Sequence, residues 1–212
     1  MSKTHIYSGT SIQIASSSDD IVVHPPIARG CLRESRFKCN DRILIIDGFF
    51  HQKEAVDLTE IRRLIGIGVS IAGASSMGAL RAVEAQSLGM KGFGHIYRWI
   101  RRQIIVDDEI VAQLVDPRNF QPITFALVDV IYALRTLKYR KLIDFRQYSE
   151  LVSVVSERHY TERDLDMLRT AMRKVGADQE MLGDNLKAGT RKKSDAMIAI
   201  KKLGIDSMVE VL

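Results

Sequence analysis

The strongest chemical signal in the sequence is the run Ala72-Gly73-Ala74-Ser75-Ser76-Met77-Gly78-Ala79-Leu80-Arg81. It passes from an apolar stretch into an amphipathic one and sets x-Ser-x-Gly around Ser76, with Ala74 where a nucleophile-elbow motif usually carries glycine. A serine on such a turn stands at the C-terminal end of a strand. The Met77 amide and the other unpaired N–H groups of the following helix then face the same point, which suits an anion or a developing oxyanion. The chemistry implied is acyl transfer or hydrolysis. A plainer reading stands beside it: Ser75 or Ser76 caps the helix, while Gly78 and Ala79 let that helix pack close to a sheet.

A nucleophilic serine needs a base, and two side chains on the preceding strand-end loop qualify by position, His51 and Asp47. Side chains from successive loops gather in the crevice outside the C-terminal ends of parallel strands. Each also has a structural reading, as a turn former or as an ordinary loop histidine. Arg29, after His24-Pro25-Pro26, could bring a cation to the same crevice. Arg81 and Glu84, one turn apart on the elbow helix, are expected to orient the site. The triplet Asp107-Asp108-Glu109 suggests a hard cation, but consecutive carboxylates point in different directions, and Arg98, Arg101 and Arg102 offer them ordinary ion pairs. There is no glycine-rich phosphate loop, no G-x-G-x-x-G after a strand and no His-Glu-x-x-His, so neither ATP, a dinucleotide nor a metal is expected.

The elements that would position these groups follow from the apolar pattern. Short apolar runs predict strands over His5 to Ser8, Ile21 to His24, Ile43 to Asp47 and Val69 to Gly73. Lys53 to Ile67 and Ser76 to Leu88 read as crossover helices. Gly89 to Gly94 reads as a glycine-rich loop and His95 to Arg102 as a basic aromatic segment. Helical patterns then run over Ile123 to Leu137, Leu142 to Glu157, Thr161 to Val175 and Lys192 to Leu203, with Gly183 to Lys193 as a linker. The fold class is therefore α/β, a Rossmann-like parallel sheet with crossover helices over residues 1–137, followed by an all-helical extension over 138–212.

Composition bounds the rest. The chain has 212 residues, 46% of them hydrophobic, and a formal charge of +5. Cys31 and Cys39 lie at neither metal-hook nor disulfide spacing, so reduced thiols are expected. No apolar run approaches the ~20 residues of a membrane span, and a cytoplasmic location is expected. The basic C-terminal segment, with Lys187, Arg191, Lys192, Lys193, Lys201 and Lys202 against Asp195, reads as a solvated helix face or a surface for an acidic partner. Nucleic acid is the less favoured ligand.

Four ordered blocks resemble the TfuA-like family: Ile45-Ile46-Asp47-Gly48-Phe49-Phe50, Gly73 to Glu84, Gly89-Met90-x-Gly92-x-Gly94-x-Ile96, and Asp107 to Ala112. Tyr7-x-Gly9-Thr10 and His24-Pro25-Pro26-x-x-Arg29-Gly30 look like that family's N-terminal motifs. The resemblance implies a partner of a YcaO-type ATP-dependent enzyme in forming peptide-backbone thioamides. The role it implies is hydrolysis of the C-terminal thiocarboxylate of a ThiS-like sulfur carrier, releasing sulfide. Ser76 would be the nucleophile and His51 or Asp47 the base, while Ser75, Met77, Gly78, Arg81, Glu84 and Arg29 would bind. Gly48, Phe49 and Gly92 would border the carrier's diglycine tail. The alternative is an adaptor without catalysis that docks on the YcaO enzyme and its precursor peptide. One departure is plain: where the family commonly has His-Lys-Glu-Ile, this chain has Leu58-Thr59-Glu60-Ile61.

Overall fold

The computed structural model describes residues 2–16, 18–33, 36–49, 53–104 and 108–211. The chain forms two compact units, one of Met1–Val106 with Lys192–Leu212 and the other of Asp107–Arg191. Residue 137, after which the helical extension is expected to begin, lies within the helix Leu127–Tyr139.

In the first unit, β1 (Thr4–Tyr7), β3 (Ile21–His24), β4 (Arg42–Ile45), β5 (Ser70–Ala74) and β6 (Lys91–Phe93) form a parallel sheet in the order β3-β1-β4-β5-β6. β2 (Ile14–Ser16) pairs antiparallel with β7 (Val209–Val211). Parallel strands are buried on both faces, which is why their sequences are nearly continuous apolar runs. Ile6, Leu44 and Ala72 face the helix α8 (Arg191–Lys202) and the β2–β7 ribbon, in a cluster with Ala196, Ala199 and Ile200. The alternate residues Ile43, Ile45 and Ile71 are buried on the other side. There α1 (Leu58–Gly66) and α2 (Met77–Glu84) join successive strands, as right-handed crossovers require. Each such aliphatic side chain taken from water contributes about 1.5–3 kcal/mol.

Several elements depart from expectation for local reasons. α1 starts at Leu58, not Lys53, because the Asp57 carboxylate caps it by accepting from the Thr59 amide at 2.8 Å. β6 falls inside the expected glycine loop. There Gly73 pairs with Gly92, and α3 (Gly94–Arg101) follows directly. Two of the three glycines serve the chain's own packing: a Cβ on Gly92 would lie 2.0 Å from the Tyr97 ring, and Gly94 takes φ +93 against Asp195.

The second unit is helical: α4 (Leu127–Tyr139), α5 (Phe145–Ser156), α6 (Leu165–Lys174) and α7 (Glu180–Ala188). Its core joins Val130, Ala133, Leu134 and Leu137 of α4 to Leu151, Val155, Leu168, Met172, Leu182 and Leu186. α6 is capped by Asp164, which accepts from the Met167 amide, rather than by Thr161, which lies in a separate short turn. The expected linker from Gly183 is largely α7, whose Leu182 and Leu186 are buried at helical spacing between charged neighbours. No helix among the described residues is long and apolar enough to cross a membrane.

Candidate functional site

The sheet order fixes where a site can form. β1 has β3 on one side and β4 on the other, so the chain's connections diverge at that point, and open α/β sheets bind ligands in the crevice beyond the strand ends at such a switch point. The loops that meet there are Ser8 to Ser11 after β1, Asp47-Gly48 after β4 and Ser75-Ser76 after β5.

The β5–α2 turn is tight. Ser75 has φ +68, a left-handed conformation that costs an L residue on the order of 1 kcal/mol, and Ser76 is the N-cap of α2. The turn is pressed onto its neighbours by two glycines. A Cβ on Gly78 would lie 1.9 Å from the Ile45 carbonyl oxygen, and one on Gly73 would lie 2.0 Å from the Gly78 carbonyl oxygen. Gly78 therefore does what the packing reading expects. Neither serine caps the helix through its side chain: Ser76 makes no capping hydrogen bond, and the Ser75 hydroxyl donates to Ser11 Oγ at 2.9 Å.

From Ser11 the polar chain continues inward. Ser11 Oγ donates to Asp47 Oδ1 at 2.5 Å, and the amides of Gly9 and Ser11 each donate to Asp47 Oδ2 at 2.9 Å. Both carboxylate oxygens are thus engaged in holding the β1 loop, and Asp47 reaches the elbow through Ser11 and Ser75. Burial pushes the Asp47 carboxyl above its ordinary range, while the Lys192 ammonium and the donors on Ser11 and Gly9 pull the other way. Asp47, Ser11, Ser75, Ser76 and Lys192 are all buried, Ser75 fully and Ser76 at 8% exposure.

The solvated basic face expected of the C-terminal segment is present in the exposed Lys187, Lys193, Lys201 and Lys202, but Lys192 and Asp195 depart from it. Lys192 and Asp195 lie on the side of α8 that carries Ala196, Ala199 and Ile200, and both are buried. Asp195 Oδ2 accepts from the Ile96 amide at 2.7 Å in the first turn of α3. The spacing 192, 195, 196, 199, 200 was the signal available for this, and it was hidden by the surrounding lysines. Ser11 carried a weaker signal, as a hydroxyl just beyond the first strand.

The remaining expected residues fall in several places. His51 lies outside the described residues, as do Phe50 and Asp107. Gly48 and Phe49 lie on the β4 loop, but the space at Gly48 is filled by Met77, whose Cγ would be 2.7 Å from an added Cβ. Phe49 is buried, with the Lys53 ammonium 4.3 Å from its ring centroid. Gly48 and Gly92 thus admit the chain's own Met77 and Tyr97. Arg81 pairs with Glu84 and lines an open hollow with Arg29, Glu54, Val56 and Asp57. Arg81 Nε is buried with no hydrogen-bond partner among the described residues. Arg29 pairs with Glu54 at 2.9 Å across an exposed surface. Glu60 is buried and accepts from the Gly30 and Leu32 amides, so it anchors the Pro25 to Leu32 loop. Glu109 lies 4.0 Å from His159 in the second unit.

A doubly wound sheet with a tight serine turn at its switch point, backed by a buried hydroxyl–carboxylate chain, defines a Rossmann-like α/β protein. Compared with known families, residues 47–164 match the TfuA-like protein family, just over half of the chain, and the chain belongs to that family. The match begins at Asp47, so β1, Ser11 and Lys192 lie outside it. No match was found among curated proteins.

Proposed function

We propose that this chain hydrolyses the thiocarboxylate of a ThiS-like sulfur carrier and releases sulfide for a YcaO-type enzyme that forms peptide thioamides. The observation that carries the reading is the β5–α2 turn, with Ser75 at φ +68 and its hydroxyl bonded into the Ser11–Asp47 chain. Membership of the TfuA-like family supports a role in thioamide formation, and the partner and substrate class are those the resemblance implies. Of the two elbow hydroxyls, Ser75 is fully buried and holds the turn, whereas Ser76 keeps some exposure and no capping bond.

Ser76 Oγ attacks the thioacyl carbon. The C–S bond breaks, hydrosulfide leaves, and water then hydrolyses the seryl ester to the carboxylate, so the net reaction consumes one water per sulfide. The proton of the attacking hydroxyl ends on the leaving sulfur, with His51 or Asp47 as the base that holds it in transit, Asp47 by way of the Ser11 and Ser75 hydroxyls. A thiocarboxylate is an anion and resists attack until its charge is offset. Arg29 and Arg81, paired in the resting chain with Glu54 and Glu84, line the hollow where its tail would lie and would exchange those partners for the thiocarboxylate. The Met77 amide at the α2 N-terminus stabilises the charge that develops, the Gly78 and Ala79 amides being bonded to the Ile46 and Ser76 carbonyls.

The test is sulfide release from thiocarboxylated carrier by the purified chain alone. Ser76→Ala should lower the rate by about a hundredfold or more at unchanged thermal stability. Unchanged turnover would remove Ser76 as nucleophile. No release by the wild-type chain, with tight binding to the YcaO enzyme, would favour the adaptor reading instead.

A further inference from the structure

We propose that the turn joining α4 to α5 is a docking surface for an acidic protein segment with an apolar anchor residue. Tyr139, Leu142 and Phe145 are 86%, 47% and 72% exposed, three large apolar groups within seven residues. Single exposed apolar residues need no explanation, but a cluster of them does. The cluster is set in positive charge: residues 135–148 carry Arg135, Lys138, Arg140, Lys141 and Arg146 against the single acid Asp144. Asp144 is committed to the α5 cap, where its carboxylate accepts from the Gln147 amide at 2.8 Å. Much of the net +5 of the chain is therefore gathered on one turn.

The backbone holds the patch in shape. Ile143 is buried in the helical core beside Leu137 and Leu151, and the Leu142 amide donates to the Leu137 carbonyl at 3.0 Å. Apolar and aromatic groups ringed by arginine are the composition of an interface centre, and the charge selects an acidic partner. Single-stranded nucleic acid would also welcome the charge, but it binds by stacking bases on open ring faces. The Lys138 ammonium already lies 5.6 Å from the Phe145 centroid and 4.3 Å from that of Tyr148. An acidic polypeptide needs no row of open ring faces: its carboxylates meet Arg140, Lys141 and Arg146, and its aliphatic or aromatic side chain packs on Leu142 and the exposed Tyr139.

The experiment is a selection from a random peptide library on the full-length chain, followed by binding measurements on the strongest peptide. The expected consensus places Asp or Glu around one large apolar residue. Arg140→Glu with Lys141→Glu, and separately Tyr139→Ala with Phe145→Ala, should each weaken that peptide at least about tenfold. Circular dichroism should be unchanged in both variants, since these side chains are exposed. An oligothymidylate probe should bind more weakly than the peptide. A consensus without acids, a peptide indifferent to both variants, or tighter binding of the oligothymidylate would overturn the proposal. Sulfide release from carrier reports on the Ser76 reading separately.

Discussion

The Ser75–Ser11–Asp47 chain turns a local strain into a positioned turn. Removing the Ser75 hydroxyl takes away the donor to the buried Ser11 oxygen, which keeps its own bond to Asp47, so Ser75→Ala should cost about 1 kcal/mol in denaturant unfolding. Ser75→Gly loses the same bond but relieves the φ +68 strain, and should be about 1 kcal/mol more stable than the alanine variant. Equal stabilities would mean that the turn is not strained. A second residue-scale effect lies in the stacked pair His5 and His24, joined Nδ1 to Nε2 at 2.9 Å. Burial lowers both, His24 from 6.5 to about 4, with the nearby Arg36 acting in the same direction. Between those pH values the unfolded chain binds the proton and the folded one does not, so stability falls on acidification, by roughly 2 kcal/mol. Asp47, raised in the folded state, acts in the opposite sense and loses its contribution as pH rises. Comparing His24→Gln with wild type isolates the histidine: the variant's unfolding midpoint should change less between about pH 7 and about pH 4.5. Residue types and spacing pointed to the serines and to Asp47. What they could not give was partnership, because Ser11 and Lys192 are 64 residues before Ser75 and far beyond it, and only the folded chain brings them to one place.

At the scale of elements, the close approach of α2 to the sheet is the feature most sensitive to change. Gly78→Ala would drive a methyl into the Ile45 carbonyl, a backbone atom that cannot swing aside. The expected loss is about 3 kcal/mol or more, seen as a lowered unfolding temperature, together with loss of sulfide release. Gly66→Ala, in α1 with nothing within 4 Å of an added Cβ, serves as the control and should be neutral or stabilise by about 0.5–1 kcal/mol. If the two variants behaved alike, helix packing would not set the elbow. Elements of this kind were legible where burial is two-sided: Ile21–His24 was read to the residue, and β4 and β5 to within one or two. β6 was not, because the three residues Lys91-Gly92-Phe93, with a single apolar side chain, give no period, and its strand character comes from pairing with β5. α7 was hidden by its glycine, which abuts Leu165 and has an interior place in the bundle.

At the scale of the whole molecule, the chain leaves the sheet unit after Val106 and returns to it at Lys192, so sequence order and compact unit do not coincide. No local pattern reveals such a return, since α8 looks like any amphipathic helix until its apolar stripe is matched to the face formed by Ile6, Leu44 and Ala72. The consequence can be tested by dividing the chain. A fragment of residues 107–191 contains the whole core from Val130 to Leu186 and should fold alone, with helical circular dichroism and a cooperative thermal transition. A chain ending at Arg191 should fare worse. It would uncover the sheet face under Ala196, Ala199 and Ile200, lose the β7 partner of β2, and take away the Asp195 carboxylate that caps α3 and the Lys192 charge beside Asp47. Burial of that apolar face far outweighs the few kcal/mol by which domains are stable, so the truncated sheet unit should lose its cooperative transition while the helical unit keeps its own. Two transitions in the truncated chain would show instead that the sheet and its elbow stand without α8, and that Lys192 and Asp195 act on the site without building it.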